Sequence, residues 1–274
     1  MRRPVRIGNA SGFYGDRLSA MKDLVEHADI DVITGDYLAE LTMLILWKAR
    51  NKNPDTGYAQ TFVTQFRDVA AACAQRGIKI VVNAGGLNPA GLARQLRTVA
   101  AELHVDLDVA HVEGDDLLPS LDDLHAAGLA FTHLDTGAEL DIAEVTPVSA
   151  NAYLGGWGIA AALAGGADVV VTGRVTDAAL VVGVGAWWHG WSRTDYDALA
   201  GAVAAGHIIE CGPQATGGNY SRFSEITDRR YPGSPIAELA HDGSFVITKP
   251  PGSGGLVSPG TVTAQLLYEV STPA

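Results

Sequence analysis

Ala167-Asp168-Val169-Val170-Val171-Thr172-Gly173-Arg174-Val175-Thr176-Asp177 is the stretch on which the fold turns. Val169 to Val171 is a β-branched run too apolar for a strand with one wet face, so it reads as a buried central strand of a parallel sheet. Its exit differs in character. Thr172 and Gly173 permit a tight turn, Arg174 offers a planar fork of donors to a carboxylate or phosphate, and Asp177 stands before an apolar helix at Ala178 to Val184. Open α/β sheets collect ligands outside the carboxyl ends of their strands. Thr172, Gly173 and Arg174 are therefore candidate ligand contacts and Asp177 a candidate acid or base. A structural ion pair between Arg174 and a neighbouring acid is the equal alternative.

The same order of apolar strand, glycine-rich loop and helix recurs upstream. Val5 to Asn9 empties into Ala10-Ser11-Gly12-Phe13-Tyr14-Gly15-Asp16-Arg17, followed by Leu18, Met21, Leu24 and Val25 at helical spacing. Such a loop points backbone N–H groups at an anion, which makes Asn9, Ser11, Gly12 and Arg17 candidate binding residues. Its glycines match neither the dinucleotide fingerprint nor the Walker lysine motif, so a nucleotide-dependent enzyme is not favoured. Ile30 to Thr34 ends in Gly35-Asp36-Tyr37, with Glu40 opening a helix. Acids four apart on a first turn face one way, which suits paired acid–base work, although acids there also cap helices. Asp36 is the candidate for chemistry and Glu40 for capping. Ile78 to Val82 leads to Asn83-Ala84-Gly85-Gly86-Leu87-Asn88-Pro89, where Asn83, Gly85 and Gly86 add uncharged donors beside a helix begun by Pro89. Leu107 to Val112 closes with Glu113, Asp115 and Asp116, read as a solvated helix start; no metal ligand is assigned.

Downstream, Tyr196 to Ala205 reads as a helix and Gly206 to Cys211 as a short strand entering Gly212-Pro213-Gln214-Ala215-Thr216-Gly217-Gly218. On a strand, His207 and Cys211 stand well apart, so Cys211 is a weak candidate nucleophile without a base. Glu210, at the end of an apolar strand, is the better acid–base candidate, with Gly217 and Gly218 as candidate ligand contacts. Trp187, Trp188 and Trp191 beside His189 suggest an oligomer contact. Ile236 to Leu239 and Ser244 to Thr248 read as a hairpin, Lys249 to Leu256 as a lid-like loop, and Thr261 to Val270 as a helix. The division that follows is an α/β core over 1–232 and a hairpin, loop and helix segment over 233–274.

Composition narrows the function. The 274 residues suffice for a large core, and 47% hydrophobic residues with 32 glycines fit buried parallel strands joined by backbone-close turns. A net charge of -12 without a compensating basic run argues against nucleic acid. The two cysteines make neither a disulfide framework nor a zinc pattern, in keeping with a reducing, cytoplasmic setting. The apolar runs are too short and too glycine-broken to span a bilayer.

Seven ordered blocks together resemble the acyclic terpene utilisation (AtuA-type) family. They are Arg6-Ile7-Gly8-Asn9-Ala10-Ser11-Gly12, Gly35-Asp36-Tyr37-Leu38-Ala39-Glu40, Asn83 to Pro89, Asn151-Ala152-Tyr153-Leu154-Gly155, Thr172 to Asp177, Glu210-Cys211-Gly212 with Thr216-Gly217-Gly218, and Gly260-Thr261-Val262-Thr263. The resemblance implies breakdown of branched acyl chains on coenzyme A thioesters, by lyase or hydratase action. Family members usually continue beyond the last block, so a partner chain supplying the remainder is one expectation. The resulting picture is a three-layer α/β protein, mostly parallel, with helices on both faces and a C-terminal hairpin. Its strand ends would bind an anionic small molecule, with coenzyme A as part of the substrate and no other cofactor assigned. Asn9, Ser11 and Arg174 would hold the anion, and Asp36, Glu210 or Asp177 would move protons. A homo-oligomer is expected. A non-catalytic thioester-binding or scaffolding subunit is the rival.

Overall fold

The computed structural model describes residues 2–141 and 144–270. The strands β1 (Val5–Asn9), β2 (Val32–Gly35), β3 (Lys79–Val82), β4 (Val109–Val112), β5 (Val169–Thr172), β6 (Ile236–Leu239) and β7 (Phe245–Thr248) form one sheet in the order β4-β5-β3-β2-β1-β6-β7. The first five are mutually parallel, while β6 runs antiparallel to β1 and β7 antiparallel to β6. The expected α/β class and terminal hairpin are both present, and β5 lies between β3 and β4 with every residue buried.

Alternation along the strands divides the core into two layers. Ile33, Ile80, Val82, Val169 and Val171 face one side, where α1 (Ala20–His27), α3 (Gln60–Arg76) and α4 (Pro89–Glu102) supply Met21, Leu24, Phe62, Phe66, Leu92 and Leu96. Val5, Ile7, Val32, Val81 and Val170 face the other, against Ile159, Val181, Val184, Ala202 and Ile208. That second layer is α6 (Trp157–Ala164), α7 (Ala179–His189) and α8 (Tyr196–Ile209). Its many alanines and glycines let the helices approach one another and the sheet closely. Of the other helices, α2 (Glu40–Lys52) joins Met43 and Leu46 to Leu38 just ahead of it in a small separate cluster, α5 (Leu121–Ala126) follows β4, and α9 (Pro259–Glu269) packs on α8.

Local signals account for several boundaries. Gly77 ends α3 in the left-handed conformation, Asn88 caps α4 by accepting from the Gly91 N–H, and Ser258 with Thr261 forms a capping box on α9. One expectation fails. Residues 206–209 are the last turn of α8, and Glu210 caps that helix; they form no strand. Ile208 and Ile209 suggest β structure locally, but the alanine-rich segment before them propagates the helix once it is nucleated. The Lys249 to Leu256 loop is also less free than its composition suggests. The Lys249 ammonium donates to the Ser253 carbonyl, and the Gly254 and Gly255 N–H groups donate to the Tyr231 and Asp228 carbonyls.

At Gly201 in α8 the absence of a side chain is a packing requirement. A Cβ there would overlap the carbonyl of Gly243, at the β6–β7 turn. Backbone on both sides leaves nothing to rotate away, so Gly201→Ala is expected to destabilise by about 1–3 kcal/mol as overpacking does. A lowered urea midpoint at unchanged slope checks this.

Candidate functional site

The carboxyl ends of the parallel strands gather residues from distant segments. Asp36, two residues before Leu38 at the exit of β2, is 5% exposed. One of its oxygens, Oδ1, accepts from the Asn83 amide at 2.7 Å and from the Leu38 N–H at 3.0 Å. The Asn83 carbonyl oxygen accepts in turn from the Tyr37 N–H at 2.8 Å, which fixes the β2 and β3 exits against each other. Glu210, at the end of α8, reaches the same place from the opposite direction along the chain. Its Oε1 lies 3.3 Å from His207 Nδ1, one helical turn back, and its Oε2 is buried with no hydrogen-bond partner among the described residues. Asp177, ahead of α7, completes the group: one oxygen from each of Asp36, Asp177 and Glu210 lies within 4.8 Å of the others.

Arg174 is the buried cation of this region, its side chain 6% exposed. Nη1 donates to the Leu38 carbonyl at 2.9 Å and stands 3.9 Å from Asp177, while Nη2 donates to the Tyr153 hydroxyl at 3.1 Å and to Glu40 at 3.4 Å. The guanidinium lies over the Tyr153 ring, 4.3 Å from its centroid. Its backbone N–H donates to Asp115 at 2.7 Å, and Asp115 also accepts from Asn151. Asp115 therefore braces the β5 exit instead of sitting in a solvated acidic helix start, while Glu113 pairs with His111 at the surface.

Burial decides the protonation of the group. Removal from water is the largest influence on Asp36 and raises its carboxyl to about 6 against the opposing hydrogen bonds from Asn83 and Leu38. Glu210 is pushed up to about 8 by burial, with Asp177 and Glu269 adding repulsion and His207 opposing. Asp177 is raised chiefly by burial, and His207 is raised chiefly by its hydrogen bond to Glu210. Glu40 is lowered, first by the hydrogen bond from the Tyr153 hydroxyl.

Several expected contacts turn out to be structural. Both donors of the Asn9 amide are used within the protein, on the Ser11 carbonyl at 2.9 Å and the Glu210 carbonyl at 2.7 Å, and its oxygen accepts from Thr34. The Ser11 hydroxyl donates to the Phe13 carbonyl. Both side chains spend their donors inside the protein, as buried polar groups generally do. Arg17 pairs with Asp23 at 3.2 Å and lines a cavity of about 300 Å³ with His27, Tyr231 and Ser234, which none of the clustered acids lines. Gly12 lets the β1 exit pass against Cys211, since a Cβ there would lie 2.6 Å from the Cys211 carbonyl carbon. The Gly85 N–H donates to the Thr172 carbonyl and the Gly86 N–H to the Asn83 carbonyl, tying the β3 and β5 exits together. The Thr172 hydroxyl donates to the Gly173 carbonyl, and Gly173 lies against the Asp115 carboxylate. Gly217 and Gly218 line a different depression with Phe223, Ile226 and Arg229.

Cys211 is no activated nucleophile. Its thiol donates to Glu269 at 3.2 Å, and burial followed by that carboxylate raises it well above the ordinary thiol range. His207, Glu269 and Tyr153 join the site without having been expected there. The spacing of His207 and Glu210 would have placed them together had the segment been read with the helical period. Glu269 and Tyr153 carry no comparable local signal.

Among the described residues no helix is long and apolar enough to cross a membrane. No curated protein and no solved structure matches the sequence. The sequence model of the acyclic terpene utilisation family protein AtuA, by contrast, matches residues 5–274. With nearly its whole length matched in this way, the chain belongs to the AtuA family, implicated in acyclic terpene utilisation, a catabolic role.

Proposed function

We propose that this protein is an enzyme of branched acyl-chain or terpene-type breakdown that performs lyase or hydratase chemistry on an acyl-CoA or similarly anionic substrate at the Asp36, Asp177 and Glu210 group. The observation that carries the reading is the gathering of three acids, from segments 36, 177 and 210, within 4.8 Å of one another at the strand ends. Proton transfer needs groups whose environments differ. Here Asp36 and Glu210 are buried at 5% and 7% exposure, whereas the Asp177 side chain is 41% exposed. A substrate approaching from solvent meets Asp177 first, with Glu210 and His207 behind it.

The test is turnover of a panel of branched acyl-CoAs by the purified chain. Asp177→Asn is expected to lower kcat by about 100-fold, as loss of one acid–base group does, while the thermal midpoint stays near that of the wild type. An unchanged kcat would remove Asp177 from the mechanism. Acyl-CoA binding with no turnover until a second polypeptide is added would replace the enzyme by a thioester-binding subunit.

A further inference from the structure

We infer that Asp36, Asp177 and Glu210 form a binding site for one divalent cation of the hard, oxygen-preferring class, magnesium or manganese. The inference deepens the proposed reading of this group as the reacting centre and rests on it only for the site's use, not for the binding itself.

Four observations carry it. The ligand set is all oxygen, and its oxygens lie within 4.8 Å of one another. Octahedral magnesium, with bonds of about 2.0–2.1 Å, spaces its ligands roughly 3 Å apart when adjacent and about 4.2 Å when opposite, so a contraction of under about 2 Å closes the site. Glu210 provides a second, independent sign. It is 7% exposed, His207 engages its Oε1, and its Oε2 is left buried with no hydrogen-bond partner among the described residues. An unfilled carboxylate oxygen in that setting is costly, and a cation is what a lone carboxylate oxygen binds best.

The charge balance points the same way. Glu210 also sits at the carboxyl end of α8, where the unpaired helix carbonyls are themselves negative. Arg174 is already divided among the Leu38 carbonyl, Tyr153, Glu40 and Asp177. With Arg174 so engaged, a bridging cation would supply positive charge for an anionic substrate brought to this group.

Supporting partners hold each ligand as they do around metals: Asn83 holds Asp36, His207 holds Glu210, and Arg174 stands beside Asp177. The overlapping trio of His207, Glu210 and Glu269 is the poorer site. Its His207 brings a ring nitrogen, which suits a hard, oxygen-preferring cation less well than an all-oxygen set.

The experiment uses the full chain stripped with EDTA, titrated with manganese while free Mn²⁺ is followed by electron paramagnetic resonance, and then competed with magnesium. One site per chain is expected, with magnesium displacing manganese. Glu210→Gln and Asp177→Asn should each weaken binding by about tenfold or more, and Glu269→Gln should leave it within about twofold of the wild type. Asp177, the exposed member, keeps the test valid if Glu210→Gln folds poorly. Absence of saturable manganese binding up to millimolar concentrations overturns the inference. So does binding that survives both substitutions, or binding that Glu269→Gln abolishes. Manganese binding without turnover of any acyl-CoA keeps the cation site and removes the functional reading; turnover by a chain that binds no manganese does the reverse.

Discussion

Arg174→Met should cost the protein about 3 kcal/mol or more in urea unfolding at pH 8, the penalty for removing one partner of a buried charged arrangement. The side chain is 6% exposed and is the common partner of Leu38, Tyr153, Glu40 and Asp177. Methionine has a comparable length and fills much of the space. What disappears is a planar set of donors, leaving the Leu38 carbonyl without its donor and Asp36 without a favourable charge nearby. Arg174→Lys is expected to recover less than half of the loss, because an ammonium is a point donor and does not serve Leu38 and Tyr153 together. The deficit of Arg174→Met should shrink at pH 5.5, where Asp36 takes up its proton. Equal losses at the two pH values would show that packing, not charge, is what Arg174 contributes.

The second large effect is a dependence of stability on pH that runs opposite to ordinary acid denaturation. Asp36 rises from 3.8 to about 6 in the folded protein and Glu210 from 4.5 to about 8. The folded state thus holds protons that the unfolded chain releases between about pH 4 and pH 8, and stability falls as pH rises through that window. The contribution is complete below the unfolded values and gone above the folded ones. Every tenfold gain in a carboxyl's proton affinity on folding is worth about 1.4 kcal/mol, so the pair weighs several kcal/mol. In EDTA, the thermal midpoint of the wild type should therefore climb as pH is lowered from 8.5 to 5.5. Glu210→Gln, which carries no buried charge at any pH, should be the more stable protein at pH 8.5 and show a flatter profile. A wild-type profile as flat as that of Glu210→Gln would contradict the burial argument.

Much of the architecture is visible in the chain because its signals are local. Val169 to Val171 is apolar on both faces and lies in the sheet interior; the glycine loops after β1 and β3 mark strand exits; Pro89 and Gly77 punctuate helices. The same locality misleads at 206–211. Two isoleucines and a cysteine look like a strand, yet the helix begun at Tyr196 runs on to Ile209, and with the wrong period His207 turns away from Glu210. Within the site, Asp36, Asp177 and Glu210 stand out as acids at the ends of apolar elements, and the structure brings them together. Asn9 and Ser11 look equally suited to a ligand, but their partners are backbone carbonyls that only the tertiary fold reveals. The Leu38 carbonyl that accepts from Arg174 is invisible for the same reason, lying 136 residues away in the chain.

The bond from the Asn9 amide to the Glu210 carbonyl joins residues 201 apart, and Gly12 rests against Cys211 beside it. On a ribosome β1 emerges long before the helix that will clasp it, so the polar end of that strand stays unsatisfied until α8 has followed. Closure of so long a loop is slow compared with pairing of neighbours. Assembly of the acidic centre is accordingly a late event in the birth of the molecule, and a nascent chain halted before α8 would carry the sheet's beginning without a working centre.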